Sequence, residues 1–457
     1  MSALSGPGAF AGLRPYQLRA VYDLQVAFAT SRTVLLQLPC GSGKTATIAT
    51  GLLAPSVERG HRCVFLAGLE ELLDDTASRL VAQGLRAGIV QAGRRGDPDA
   101  PVQVASLWTL ARRPEALPAA TRVVLDEARC AAAGTVRKIL ARYPEALVCG
   151  LEAVPCRGDG KPLDEFGALV RGPSIRELVE LGHLVPTLVF APDRWLERGV
   201  AEDPVDVVLK RAAGRRCAIF APSAHLAREA AARLTSAGHR TEAILDETPK
   251  SVRRTVRARL ASGETRHLAT VAALRAGFDA PVLDCAVLAQ GCTSLASYLQ
   301  SIGRVQRPCP ETGKRDAWVF DLRGAVYLHG LPDEDRAWSL EGTQGKAGTQ
   351  ALAALRRCTE CHAVCVQVAR CPQCGARLDS VDPRPLRVQR AELWDQRGVS
   401  DEERVRRWVE GAVRAMRTRK PGLSEEWCRR QVLKKPPAWA RKALGLETRS
   451  HTEEALP

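Results

Sequence analysis

Twice along its 457 residues the chain runs through the same rhythm: a short apolar stretch, then residues with helical apolar spacing, then another apolar stretch. TVLLQLP, RCVFLAG, PVQVASL, TRVVLDE and ALVCGLE lie within the first 185 residues. RCAIFAP, HLATVAA, CAVLAQG and AWVFDLR follow from residue 216. Continuous apolar runs of this length suit strands buried on both faces. The stretches between them, such as EELLDDTASRLVAQG, carry apolar residues three and four apart and close on Gly. Such alternation makes neighbouring strands parallel, with the crossover helices covering both faces of the sheet. The expected fold class is therefore α/β, with two tandem parallel-sheet domains over 1–190 and 207–345. The polar segment 191–206, with its two prolines, reads as the linker. Past 345 the rhythm stops, giving way to a cysteine cluster within 346–380 and a basic, Trp-containing helical region over 381–457.

Composition excludes several classes. Hydrophobic residues make up 45% and charged residues 26%, ordinary values for globular cores and far from a disordered or fibrous chain. No apolar run approaches the ~18 residues of a membrane span, and MSALSGPGAF lacks the basic-then-apolar pattern of a secretory signal. Ten of the fifteen cysteines are scattered among apolar segments and five fall between 358 and 374. That distribution fits a reducing, cytoplasmic setting with one metal site better than a disulfide framework. Of the net charge of +15, thirteen Lys and Arg against three Glu sit between Arg404 and Lys442, so a polyanion is the partner that region suggests.

Three segments carry chemistry. Gly41-Ser42-Gly43-Lys44-Thr45 follows one apolar strand and precedes a helix-like stretch, the context of a phosphate-binding loop. In such a loop backbone N–H groups cradle phosphate, the Lys reaches the β- and γ-phosphates and the Thr hydroxyl binds Mg²⁺. Leu38 stands where the full pattern wants Gly or Ala. Asp126 and Glu127 close the strand of VVLDEAR. A solvated strand end would explain two carboxylates alone; beside the glycine loop they read as Asp126 holding Mg²⁺ and Glu127 orienting or deprotonating a water. In QSIGRVQR, Arg304 and Arg307 lie three apart, which on a helix puts both on one face where they can address one phosphate. An exposed salt-bridged helix face is the plainer alternative.

These residues carry a resemblance. LRPYQ (13–17), LPCGSGKT, the strand ending in DEAR, GLEAVPCRGDG (150–160), AGFDAP (276–281) and QSIGRVQR occur in the order and spacing of superfamily 2 helicases. Within that superfamily the chain resembles the bacterial and phage DEAD/DEAH-type proteins related to RadD and UvsW, over roughly residues 10–345 plus the cysteine cluster. The resemblance implies two RecA-like domains with ATP between them and nucleic acid across both. It further implies that Gln17 reads adenine, that Gly277 and Asp279 contact nucleotide or transmit its state, and that Arg304 and Arg307 sense the γ-phosphate, with Gln300 in the same phosphate-contacting set. DNA is favoured over RNA by the resemblance alone. The implied activity is an ATP-dependent DNA helicase or translocase in replication, recombination or repair, phage-associated or carried on a mobile element. A protein partner in a recombination, replication or defence complex is compatible with it, no membrane partner is expected, and nothing demands more than a monomer.

Four departures fall at positions thought to couple hydrolysis to movement. Arg129 stands for the family's His, Glu152-Ala153-Val154 for Ser/Thr-Ala-Thr, Ala273-Leu274-Arg275 for a Thr-Glu-like pair, and Gly68-Leu69 for His-Arg. Glu152 and Val154 lack the hydroxyls that would link the carboxylates to the second domain, so strand separation is expected to suffer while ATP binding and hydrolysis persist. This leaves a second reading, a helicase-like scaffold that binds nucleic acid and a partner. An unrelated P-loop ATPase would leave GRVQR and GFDAP unexplained.

Cys358-Thr-Glu-Cys361 and Cys371-Pro-Gln-Cys374 form two C-x-x-C knuckles, a set that suits structural Zn²⁺ and, less specifically, an iron–sulfur cluster. His362 and Cys365 are spare ligands by which the set could shift. In the basic region Trp408, Trp427 and Trp439 interleave with Lys and Arg, a pattern that serves stacking on unpaired bases or the core of a small helical domain.

Overall fold

The structure is a computed structural model. It describes residues 12–68, 70–94, 96–157, 161–271, 280–342, 355–366, 368–378, 409–410, 413 and 424–434. The chain divides into a unit over 1–389 and a unit over 390–457, each described by itself.

In the larger unit the first sheet contains β1 (Thr33–Gln37), β2 (Cys63–Ala67), β3 (Ala87–Val90), β4 (Val102–Ser106), β5 (Arg122–Asp126), β6 (Leu147–Glu152) and β7 (Ala168–Arg171). All pairings are parallel, in the order β3-β4-β2-β5-β6-β1-β7. Its helices are α1 (Pro15–Phe28), α2 (Lys44–Ile48) continuing through a π-helical turn into α3 (Ala54–Glu58), α4 (Glu70–Ala82), α5 (Leu107–Arg112), α6 (Gly134–Leu140) and α7 (Ile175–Glu180). Strand alternation divides the core cleanly. Val34, Leu36, Cys63 and Phe65 pack on one face with Leu24 of α1 and Leu73 and Leu80 of α4. Leu35, Val64 and Leu66 pack on the other with Leu107, Leu110, Val136 and Ile139 of α5 and α6.

The second sheet contains β8 (Thr187–Phe190), β9 (Cys217–Ala221), β10 (Thr241–Ile244), β11 (His267–Val271), β12 (Cys285–Leu288), β13 (Ala317–Asp321), β14 (Leu355–Arg357) and β15 (Ala363–Val366). Its order is β10-β11-β9-β12-β13-β8-β15-β14. Helices α8 (Pro204–Asp206), α9 (Ala224–Ser236), α10 (Lys250–Ser262), α11 (Leu295–Gly303) and α12 (Val326–His329) accompany it. Asp203, Ser223 and Ser294 cap α8, α9 and α11 with side-chain oxygens, which satisfies the first free N–H groups of each.

Two boundaries differ from those read in the sequence. TLVF, inside the stretch 1–190 expected for the first domain, hydrogen-bonds as β8 with β13 of the second sheet. The polar segment 191–206 therefore leads from the first strand of the second domain rather than joining the two domains. The cysteine hairpin is not a detached module either: β15 pairs antiparallel with β8, Ala363 opposite Phe190, and extends the second sheet.

In the smaller unit the helix Glu425–Lys434 carries i,i+4 pairs between Arg429 and Glu425 and between Arg430 and Glu426, and Cys428 is buried. Trp408 and Trp439 lie outside the described residues. No helix among the described residues is long and apolar enough to cross a membrane.

Candidate nucleotide site at the cleft between the two sheets

The glycine loop leaves β1 at its C-terminal end and enters α2 at Lys44, where ligands gather in open α/β sheets. Gly43 has φ +83°, and a Cβ there would fall 2.7 Å from the Gln17 side chain, so both backbone and space demand glycine. Ser42 is buried, its hydroxyl donating to the Pro39 carbonyl at 2.7 Å. The Ser42 carbonyl accepts from Tyr16 Oη at 2.7 Å and Gln17 Nε2 at 3.1 Å, while Gln17 Oε1 accepts from the Arg14 N–H. Gln17 thus braces the loop from beneath. The side chain of Leu38 is fully buried in the core, and its carbonyl accepts from Lys44 Nζ at 3.2 Å.

Asp126 and Glu127 arrive at the end of β5 in a strained turn. Glu127 is left-handed, φ 53° and ψ 54°, and its N–H donates to Asp126 Oδ1 at 3.0 Å. Burial first, then the charge of Glu127, pushes the Asp126 carboxyl up to about 6, with Lys44 pulling the other way. A carboxylate so placed is suited to a cation. Thr45 lines the same cleft, so the donor set fits Mg²⁺.

The second domain closes the cleft with α11. Gln300 Nε2 donates to Glu127 Oε2 at 3.1 Å across the two domains. Gly303 lets α11 meet the glycine loop, since a Cβ there would lie 2.5 Å from Cys40 Cβ. Arg304 and Arg307 line the same cleft as Lys44, Thr45, Asp126 and Glu127. The spacing predicts one helix for the two arginines, but α11 ends at Gly303 and Arg304 is its cap, so they do not share it. Pro308 follows Arg307 and disfavours helical backbone at that residue. Both still reach the cleft, which opens to solvent. Gly277 and Asp279, with Ala273-Leu274-Arg275, lie outside the described residues.

Sequence reasoning missed residues contributed by α4. Asp75, Thr76 and Arg79 also line the cleft, and Asp74 and Asp75 pair with Lys250 (3.3 Å) and Arg257 (3.7 Å) of α10. The signal was the polar DDTAS face of an otherwise amphipathic helix. A second miss concerns the departures at 129 and 152. Glu152 stands without the hydroxyls expected there, yet it is bonded to Arg129 within the first domain, while the hydrogen bond from Gln300 to Glu127 reaches the second domain. The Glu152 carboxylate accepts from Arg129 Nη1 at 2.9 Å, and the same Nη1 pairs with Glu127 Oε2.

The four knuckle cysteines converge. Their sulfurs lie within 4.8 Å of one another, with Cys358–Cys374 and Cys361–Cys371 each at 3.6 Å. A tetrahedral ion with Zn–S ≈ 2.3 Å sets sulfurs about 3.8 Å apart, so the set is compatible with zinc. The spare ligands are engaged elsewhere: Cys365 Sγ donates to the Arg356 carbonyl at 3.7 Å, and His362 Nδ1 meets Arg357.

Residues 11–157 match the family described as Type III restriction enzyme, res subunit, and residues 201–309 match the Helicase conserved C-terminal domain. A 51.5 kDa protein of a Lactococcus phage (isolate 7-9) is 24% identical over 366 residues, 75% of this chain and 77% of that protein. Among solved structures, a fragment assigned as an HsdR subunit of a type I restriction enzyme from Vibrio vulnificus YJ016 superposes with a TM-score of 0.53 at 20% identity, over 70% of this chain and 66% of that one. The ATP-dependent Type ISP restriction-modification enzyme LlaBIII, bound to DNA, gives 0.51 at 14% identity, over 70% and 29%. The chain thus spans just under two thirds of the first structure and less than a third of the second, and these likenesses are of fold. Two parallel-sheet domains of this kind resemble tandem RecA-like domains, and with the two family matches in this order they support a superfamily 2 helicase.

Proposed function

We propose that the chain is a nucleic-acid-stimulated ATPase, an ATP-dependent DNA helicase or translocase of the phage-associated kind related to RadD and UvsW. One observation carries the reading. Lys44, Thr45, Asp126 and Glu127 from one sheet meet Gln300, Arg304 and Arg307 from the other in a single cleft, with a hydrogen bond between Gln300 and Glu127. In the proposed roles Lys44 neutralises the β- and γ-phosphates, Thr45 and Asp126 hold Mg²⁺, and Glu127 orients or deprotonates the attacking water. Arg304 and Arg307 meet charge on the γ-phosphate from the second domain, as an arginine supplied in trans does. Gln17, which braces the glycine loop, reads adenine in the proposed roles. Bound Mg²⁺ would supply charge neutralisation at the transferring phosphate. Zn²⁺ on Cys358, Cys361, Cys371 and Cys374 has a structural role, since four thiolates leave no open position. DNA is preferred to RNA through the resemblance to RadD and UvsW, and replication, recombination or repair is the corresponding setting.

Steady-state ATP hydrolysis without nucleic acid, with single-stranded DNA, with duplex and with RNA tests the reading, with Lys44→Ala as control. DNA-stimulated turnover that Lys44→Ala abolishes is the expected result. Absence of turnover under every condition, with nucleic acid still bound, would instead establish a helicase-like scaffold.

A further inference from the structure

We infer that Arg129 and Glu152 act as one positioning unit for Glu127, a charged link from the end of β6 to the cleft that no family assignment records. The inference rests on the ATPase reading above. Glu152 is 1% exposed, and both carboxylate oxygens are used. Oε1 accepts from Arg129 Nη1 (2.9 Å) and from the N–H groups of Ala153 (2.9 Å) and Val154 (3.3 Å), and Oε2 accepts from the Arg129 N–H (3.1 Å). A carboxylate at this depth is tolerable only with such partners. Burial, then Glu127, pushes its pKa up while Arg129 pulls it down. Burial also works against the charge on Arg129, but Glu152 and Glu127 outweigh it and hold the guanidinium charged.

An ion pair that only stabilised the fold would need two members, and this one has three. Arg129 is fixed to Glu152 at main chain and side chain, and the guanidinium so fixed pairs with Glu127 Oε2. That oxygen also accepts from Gln300 of α11, so the water-orienting carboxylate is held by one donor from each domain. The strand end is tied in turn to the end of β1, ahead of the glycine loop: Gln37 Nε2 donates to the Ala153 carbonyl at 3.1 Å and Leu38 N–H to the Glu152 carbonyl at 3.0 Å. Ala153 and Val154 are buried in the cluster formed around the second sheet. Arg129 and Glu152, two separate departures in the sequence, are complementary in space, charge for charge.

The test uses the full chain with saturating single-stranded DNA and four variants: Glu152→Gln, Arg129→Gln, Arg129→Lys and the Arg129→Gln/Glu152→Gln pair. Steady-state kcat and KM, equilibrium ATP affinity and melting temperature are measured for each. Glu152→Gln and Arg129→Gln are each expected to lower kcat about 10- to 100-fold with KM and ATP affinity within about twofold, the loss that a misplaced reacting group causes. The pair should be no slower than the slower single variant, as for residues acting as a unit. Arg129→Lys keeps the charge and should recover part of the loss, which also serves as the test if a neutral variant does not fold. Losses that multiply in the pair, an unchanged kcat, or ATP affinity falling in step with kcat would each overturn the inference. Absence of turnover in the unmodified chain would overturn the ATPase reading and this inference with it; turnover that survives all four substitutions would overturn the inference alone.

Discussion

The two sheets share one strand order and differ in what leaves their strands. Omitting the edge strand β7 and the cysteine hairpin, β3-β4-β2-β5-β6-β1 in the first sheet matches β10-β11-β9-β12-β13-β8 in the second. In this correspondence β1 and β8 are the same strand, yet β1 leads into Gly-Ser-Gly-Lys-Thr and β8 into Pro192 and a polar loop. The ends of β6 and β13 also correspond, and each holds a buried carboxylate. Asp321 accepts from the N–H groups of Gly324 (2.9 Å) and Val326 (2.7 Å). Glu152, one methylene longer, caps two N–H groups and also reaches Arg129. One scaffold thus serves twice: the first copy carries the glycine loop and the carboxylates, and the second supplies Gln300 from α11 and Arg304 and Arg307 just after it. Chemistry resides in the exits from the strands rather than in the sheet.

The largest expected difference between the copies concerns metal. Only the second sheet is extended by the cysteine hairpin. Stripping metal, or Cys358→Ser, should abolish folding of β14 and β15, because structural zinc contributes on the order of 10 kcal/mol to small sites. ATP affinity at the first sheet should change little. Metal content and hydrogen exchange of Ala363–Val366 report this directly, and unchanged protection without metal would break the comparison.

The two buried carboxylates come next. Glu152→Ala should cost about 3 kcal/mol in stability by leaving Arg129 and two N–H groups without their partner. Asp321→Ala should cost about 1–3 kcal/mol for its orphaned donors. Denaturant melts give both values, but only the first substitution should also depress turnover. A slowed Asp321→Ala variant would erase the distinction drawn between the two strand ends.

The smallest effect is on pH. In the second domain His267 is buried and its Nδ1 accepts the Cys217 N–H at 3.1 Å, which puts its proton on Nε2. Burial, then His239 and Arg266, pushes its pKa down to about 3. With the unfolded value near 6.5, the unfolded chain takes up the proton first as pH falls, so stability drops from about pH 6.5 downward. At pH 5 the loss is about 2 kcal/mol. Among the described residues the first domain holds no buried histidine, so its transition should move less. His267→Gln should flatten the dependence in melts between pH 7 and pH 5.

What the sequence revealed follows burial. Each of the nine apolar runs named from it is a strand, because strands covered on both faces must be continuously apolar. The strands it did not reveal are β3, β7, β8, β10 and the cysteine hairpin, most of them at or near sheet edges with mixed burial. The glycine loop and the carboxylate pair could be placed at strand ends because apolar runs precede them directly in the sequence. The Arg129–Glu152 link was not legible, since a pair 23 residues apart becomes complementary only once β5 and β6 lie side by side.

The central claim is that one sheet binds nucleotide and the other completes the site. Equilibrium ATP binding and single-turnover hydrolysis, measured with single-stranded DNA for the unmodified chain, Lys44→Ala and Arg304→Ala/Arg307→Ala, test it most directly. Lys44→Ala should lose both binding and hydrolysis. The arginine variant should keep binding within a few-fold and lose hydrolysis by about 10³, the scale of an arginine finger. Hydrolysis undiminished in the arginine variant, or binding lost equally in both, would contradict a site shared between the two sheets.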